Sequence, residues 1–172
     1  MRIISIIGHQ SAGKTTLLIA LAREFHRRKK RVATIKHAGQ SATLDRDGSD
    51  TYRHFHEGLA DGVLIASPDV RAVFERRPDD TGPEALARQY FADRDLVLVE
   101  GFRRAPIPKI EIYRTAVGPA PIAASASNPE QWVALLSDVP VPQVTCQVLR
   151  FTDTMWLQLL ASIAWDRAKP LE

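Results

Sequence analysis

The chain has 172 residues, 45% of them hydrophobic and 25% charged, with a formal net charge of +3. That length and balance suit one globular domain over residues 1–172, with a core of useful size. The single cysteine, Cys146, excludes an internal disulfide framework and suits a reducing, cytoplasmic compartment. No apolar stretch is long enough to cross a bilayer, and "IISII" near the start is cut short by a turn rather than extended into a secretory signal.

In chain order, residues 2–7 form an unbroken apolar run that predicts a buried strand. Residues 14–29 follow with Leu17, Leu18, Leu21 and Phe25 at helical spacing. The basic run "REFHRRKKR", Arg23 to Arg31, closes this helix, where cations favour the negative end of the dipole and face water. No aromatics are interleaved with it, so nucleic acid is not an expected partner. "RVATIK" (31–36) predicts a second strand, and the Gly-, Ser- and Asp-rich stretch after it a loop. A helix over 51–59, a strand over 62–67 and a helix over 83–92, opened by Pro83, come next. "VRAVFERRPDD", between the last two, reads as an exposed helix or loop.

"LVLVE" (96–100) shows no polar alternation and predicts a strand covered on both faces. "KIEIY" and "WVALLS" predict further strands, Cys146 falls in another, and a helix over 153–166 ends the pattern. "VGPAPIAASASNPE" between them reads as an exposed loop or edge element. Strands alternating with helices predict an α/β fold, a three-layer αβα sandwich around a mainly parallel, possibly mixed, sheet. The gap before "KIEIY" is too short for an ordinary helical crossover. That strand is therefore either antiparallel or carried across a neighbour.

"GHQSAGKT" fits the P-loop pattern in full: Gly8, four residues, Gly13, Lys14, Thr15. The glycines admit backbone angles that other residues resist, so the amides from Gly8 through His9, Gln10, Ser11 and Ala12 to Gly13 can turn inward on phosphate oxygens. The helix that starts there aims its positive end at the same anion. Lys14 is a mobile charge for the terminal phosphates, the Thr15 hydroxyl suits Mg2+, and Thr16 can reach a phosphate nearer the base. A second metal anchor is expected at the carboxyl end of a neighbouring buried strand, where Glu100 stands; it could also orient an attacking water. Asp95, at the other end of that strand, reads as a polar strand entrance.

Lys36 and His37 close the second strand at the same end of the sheet, and Asp50 lies beyond a loop able to reach the phosphates. "TIKHAGQSATLDRDGSDTYR", "DLVLVEGFRRAPIPKIEIYR" and "LLSDVP", in this order, resemble the molybdopterin-guanine dinucleotide biosynthesis protein B family (MobB) from about residue 2 to about residue 165. The resemblance implies a dimeric GTP-binding protein of the P-loop NTPase fold with weak, Mg2+-dependent GTPase activity. It also implies a partner, the guanylyltransferase that joins GMP to molybdopterin, with molybdopterin itself as a further ligand. Carried over by position, Lys36 and His37 match the family's Lys-His, Asp50 its "GKDS" aspartate, Glu100, Gly101 and Phe102 its "EGF", and Lys109 its "PKI" lysine. On this reading Glu100, Asp50 and Lys14 are catalytic, and Thr15, Glu100 and Asp50 hold the metal.

The chain departs from the family in places. Ala38, Gly39 and Gln40 stand where members often carry histidines, Ser49 replaces a lysine, and Arg103 replaces another. Asp138 in "LLSDVP" can accept hydrogen bonds from guanine N1–H and its 2-amino group, or can be a turn aspartate bound to its own backbone. Arg103, Arg104 and Lys109 form a basic rim suited to a pterin phosphate. His54 and His56, two apart on a helix, do not share a face and read as surface or packing residues. Two other functions fit the phosphate grip. A small-molecule or nucleotide kinase would need a lid, for which Arg71, Arg76 and Arg77 are candidates. A metallochaperone GTPase would need a Cys or His pair, which scattered histidines and one cysteine do not supply.

Overall fold

A computed structural model of the chain describes residues 1–38, 45–76 and 81–172. The chain groups into two compact units, Met1–His37 with Thr81–Glu172, and Ala38–Asp80.

The first unit is built on one sheet. Strands β1 (Arg2–Ile7), β2 (Val32–Lys36), β5 (Leu96–Glu100), β6 (Lys109–Tyr113), β7 (Trp132–Ser137) and β8 (Gln147–Arg150) lie in the order β2-β5-β1-β6-β7-β8, all parallel. A two-residue strand, β9 (Lys169–Pro170), adds antiparallel to β1 and makes the sheet mixed. Helices α1 (Lys14–Arg27) and α4 (Trp156–Arg167) cover one face, where Ile4, Ile6, Leu98, Ile110 and Leu136 meet Leu21, Phe25 and Leu160. Helix α3 (Pro83–Phe91) covers part of the other through Ala87, against Ile3, Val97 and Val99. Every residue of β5, β6 and β7 is buried, which accounts for the unbroken apolar runs over 96–99 and 132–136, while β6 buries Lys109 and Glu111 between its apolar residues. Each fully buried Ile or Leu there contributes about 1.5–3 kcal/mol relative to exposure. The sequence expectation of an αβα sandwich holds.

The connection from β5 to β6 crosses β1, so β6 is parallel and lies on the far side of β1 from β5. Eight residues (101–108) suffice because β6 is staggered. Lys109 pairs opposite Ser5 rather than at the start of β1, which shortens the return path. The Ser5 hydroxyl donates to the Gly101 carbonyl at 2.6 Å and the Ser5 amide to Pro108 at 2.9 Å, holding both ends of the connection against β1.

The basic end of α1 does more than face water. Glu24, 5% exposed, accepts from Arg27 and Arg28, and those two guanidiniums hold its carboxyl down at about 2. Arg28 also donates to the Gln158 carbonyl at 2.8 Å and the Ser162 hydroxyl at 3.1 Å, tying α1 to α4.

The second unit holds α2 (Asp50–His56) and a hairpin of β3 (Gly62–Ala66) and β4 (Arg71–Glu75). The hairpin corrects the reading of 71–75 as helix or loop: "RAVFE" alternates between exposed and half-buried positions, a strand period carried by a charged edge. Ser67 closes its turn, its hydroxyl accepting from the Val70 amide and donating to Asp69.

Candidate nucleotide site

At the end of β1 the chain turns through Gly8–Gly13 into α1. Gly13, at φ 100°, occupies the left-handed region that glycine tolerates. Ser11 enters the same region at φ 62° without being glycine. Gly8 is required for a different reason: a Cβ there would stand 2.5 Å from the Ile112 carbonyl oxygen of β6. Gly13 provides no side chain to cap α1, so the amides of the first turn are left to an incoming acceptor.

The polar groups around this turn converge. The Lys14 ammonium donates to the Gly8 and His9 carbonyls at 3.1 and 2.8 Å, folded back over the turn. The Thr15 hydroxyl donates to Glu100 Oε2 at 2.8 Å, and Lys36 Nζ lies 3.7 Å from Glu100 Oε1. Glu100 is only 8% exposed, whereas the Lys36 side chain is 67% exposed. Parallel pairing sets this meeting, because Lys36 and Glu100 stand in register on β2 and β5. A hydroxyl and a carboxylate this close form a hard-oxygen pair of the kind Mg2+ takes, with phosphate oxygens and water completing its octahedron. Among the described residues no group of three His, Cys, Asp or Glu is arranged to hold a metal by itself.

Two further contacts, neither expected from the sequence, brace the turn. Arg114 Nε donates to the Ala12 carbonyl at 3.1 Å while its guanidinium lies 4.1 Å over the Phe151 ring. His9 Nε2 is 2.9 Å from the Ala120 carbonyl, its ring packed closely against Gly118. Both partners come from the segment after β6, and no local pattern marks them.

The other expected residues fall as follows. His37 packs on Phe102 in a tilted arrangement with ring centroids 4.4 Å apart, next in sequence to Lys36. Gln10, Ser11 and Thr16 are exposed on the turn and the first turn of α1, while Ala12 is buried. Asp138, after β7, accepts at both carboxylate oxygens from the Thr115 amide at 3.2 Å and at Oδ2 from its hydroxyl at 3.1 Å. It is therefore not bound to its own turn, whose Val139 amide goes to the Ser137 hydroxyl. A carboxylate offers about four lone-pair sites, so acceptor capacity remains. Asp95 accepts the Arg31 amide at 2.8 Å, in keeping with a strand entrance.

Asp50 belongs to the second unit, where it opens α2. Ser49 is the N-cap of that helix, its hydroxyl accepting the Tyr52 amide at 3.1 Å and donating to Asp45 at 2.9 Å. Thr51 donates to the same carboxylate, which these hydroxyls hold below the usual aspartate range. The "GSDT" segment thus has a local folding role. His56 packs on Tyr52 and Phe55, and His54 is exposed. Arg76 lies over Phe55 and donates to the Ala60 and Phe55 carbonyls, so it braces the hairpin; Arg71 is exposed at the start of β4. Gly39, Gln40 and Arg77 lie outside the described residues.

Lys109 corrects the expected rim. It is 2% exposed, and its ammonium donates to the Ala105 and Ile107 carbonyls and to Gln131 Oε1. Burial pushes its pKa down. The expected exposed loop at 117–130 is also partly buried. Its short 3-10 turn (Ile122–Ser125) seats Ile122 and Ala123 on the sheet, and both amides donate to the buried Glu111 carboxylate at 2.7 and 2.8 Å. Cys146 stands one residue before β8, its thiol pushed up by burial.

Comparison with known proteins agrees with this architecture. The crystal structure of Bacillus subtilis MobB superposes with a TM-score of 0.69 at 20% identity, covering 95% of this chain and 98% of that one. A crystal structure of molybdopterin-guanine biosynthesis protein B gives 0.66 at 23% identity, covering 95% and 97%. The chain is 32% identical over 145 residues to the molybdopterin-guanine dinucleotide biosynthesis adapter protein of Escherichia coli, which covers 81% of this chain and 79% of that protein. It is 38% identical over 115 residues to the protein of the same name in Haemophilus influenzae, covering 65% of this chain and 63% of the relative's length. The profile of the family described as MobB, molybdopterin guanine dinucleotide synthesis protein B, matches residues 3–138. With that match spanning most of its length, the chain belongs to the MobB family.

Proposed function

We propose that this chain is a GTP-binding accessory protein of molybdenum-cofactor assembly, a weak Mg2+-dependent GTPase that assists conversion of molybdopterin to molybdopterin guanine dinucleotide. The observation that carries this reading is the contact of Thr15 with Glu100 at the mouth of the Gly8–Thr15 turn, with Lys36 on the other carboxylate oxygen. The names of the Escherichia coli and Haemophilus influenzae relatives, both adapter proteins of this biosynthesis, support the pathway.

The chemistry asked of the residues is modest. Lys14 exchanges the Gly8 and His9 carbonyls for terminal phosphate oxygens, and the first-turn amides of α1 meet the same anion. Bound Mg2+ would supply charge neutralisation at the phosphates, held by Thr15 and by Glu100 directly or through water. Asp138, aligned by Thr115, accepts from guanine. The protein acts as a homodimer beside its guanylyltransferase partner and, as cargo, molybdopterin. Among the described residues no helix is long and apolar enough to cross a membrane.

Isothermal titration of the Mg2+-loaded protein tests this: GTP should bind more tightly than ATP, with slow phosphate release. Asp138→Asn should weaken GTP more than ATP. An equal loss for both nucleotides removes Asp138 from base recognition. Absence of binding heat with either nucleotide would falsify the nucleotide reading itself.

A further inference from the structure

The residues that immediately follow β6, β7 and β8 are Arg114, Asp138 and Phe151, and the strand register makes them level: Tyr113 pairs with Ser137, and Ser137 with Arg150. Ile112, Leu136 and Leu149 pack on the side of α1 and α4. Two residues further on, the three strands therefore offer that side a cation, a carboxylate and an aromatic ring. Resting on the reading of Asp138 as the group that meets guanine, we propose that Arg114 is the platform on which the purine ring stacks, a second base-contacting residue.

The Arg114 side chain does not stay over its own strand. Its guanidinium carbon lies 4.1 Å from the centre of the Phe151 ring, although β7 separates β6 from β8 and puts them about 10 Å apart. Together the two side chains bridge the end of β7, where Asp138 stands. Arg114 Nε also donates to the Ala12 carbonyl of the Gly8–Thr15 turn at 3.1 Å. Phe151 is held in turn by Trp156, edge-on with ring centroids 5.7 Å apart.

Most of this cation is uncommitted. Of its five N–H donors only Nε is taken among the described residues, where it also has no ion-pair partner. Asp138 does not neutralise it, because that carboxylate is turned to the Thr115 amide and hydroxyl. Arg114 and Asp138 are both half-buried, so a ligand can reach each of them. A purine whose N1 edge meets Asp138 and whose phosphates reach the Gly8–Thr15 turn must pass over the ground between the two, and Arg114 occupies that ground. A guanidinium held against one aromatic ring suits a second π-system on its other face, since its charge is delocalised and weakly hydrated.

The two residues then divide the work. Stacking tolerates any purine, because each presents a π face, whereas Asp138 accepts from hydrogens that adenine lacks. Arg114 sets affinity for the base and Asp138 sets its identity. The Ala12 and Phe151 contacts fix the guanidinium before a ligand arrives, so little side-chain freedom is lost on binding. Thr115, next in sequence, aligns Asp138, so platform and edge reader are carried by one short piece of backbone.

Titration of GTP, ATP and inorganic tripolyphosphate, each with Mg2+, into the full chain and its Arg114→Ala variant tests the platform. The substitution should weaken GTP and ATP alike, about tenfold, and leave tripolyphosphate, which has no base, within about twofold. A loss shared equally by tripolyphosphate means that Arg114 acts only through Ala12 and overturns the proposal. Unchanged GTP affinity, or a loss confined to GTP, overturns it too. A measurement on the unaltered 15N-labelled chain does not depend on how the variant folds. The Arg114 Nε–H resonance should move upfield with GTP, under the ring current of a stacked purine, and should not do so with tripolyphosphate. A silent resonance while GTP binds sinks the platform alone, whereas no binding of either nucleotide to the unaltered chain takes the nucleotide reading down with it.

Discussion

Glu100 and Glu111 are buried carboxylates on β5 and β6, the two strands that flank β1, yet their surroundings differ in kind. Glu100 ends its strand and meets a hydroxyl and an ammonium, both on side chains that can let go. Glu111 lies inside its strand and meets two main-chain amides of a packed 3-10 turn, which cannot. The first arrangement is available to a ligand, while the second is part of the fold. Burial and charge alone do not separate the two. What separates them is whether the partner belongs to a movable side chain or to the backbone.

The largest expected effect is at the available end. Lys14→Ala should lower triphosphate affinity about a hundredfold or more, the worth of two charge-assisted contacts, with the unfolding midpoint nearly unchanged. Calorimetry alongside thermal melts reads both, and unaltered GTP affinity would remove this lysine from the grip. Glu111→Ala should behave in the opposite way. Two buried amides lose their acceptor, so urea unfolding should show a loss of roughly 2–3 kcal/mol, and a loss below about 1 kcal/mol would mean that the turn finds other partners. Glu100→Gln should weaken the Mg2+-dependent part of nucleotide binding about tenfold and leave stability almost untouched. If instead it unfolds the protein as Glu111→Ala does, the contrast between the two carboxylates fails.

The smallest effect lies away from both, at Glu24. Its carboxyl is held at about 2 instead of the ordinary 4.5 by Arg27 and Arg28. A depressed folded-state value means the stabilisation is present above about 4.5 and is lost as the pH falls from there through about 2. Because Arg27 is 68% exposed, its share is screened by solvent. Glu24→Gln should thus cost about 1 kcal/mol at neutral pH and flatten the stability profile across that window. An unchanged acid limb in denaturant titrations would show that the triad adds nothing.

How much of this was readable in the sequence follows the same division. Strands β5 and β7 were legible because burial on both faces demands nearly uninterrupted apolar residues, as in "LVLVE" and "WVALLS". The turn from Gly8 to Thr15 was legible because phosphate chemistry dictates residue types at set spacing. The second strand of the hairpin was missed because "RAVFE" mixes charges into a half-exposed strand, and β9 because two residues carry no period. Lys109 looked like a surface cation because lysine usually is one. Its partners are two carbonyls and a glutamine 22 residues on, which only the folded connection brings together. Thr115 and Arg114, which hold Asp138 and Ala12, were hidden for the same reason: their partners lie 23 and 102 residues away.

The close approach of Ile112 to Gly8 has a consequence for how this protein tolerates change. The carbonyl that bars a side chain at position 8 belongs to β6, whose other end carries Lys109. Adding a single methyl, Gly8→Ala, would press the two central strands apart at their upper rim even in a protein that never meets a nucleotide. Sheet spacing and ligand capture therefore answer to one glycine, so a lineage that abandoned the ligand would still be obliged to keep it.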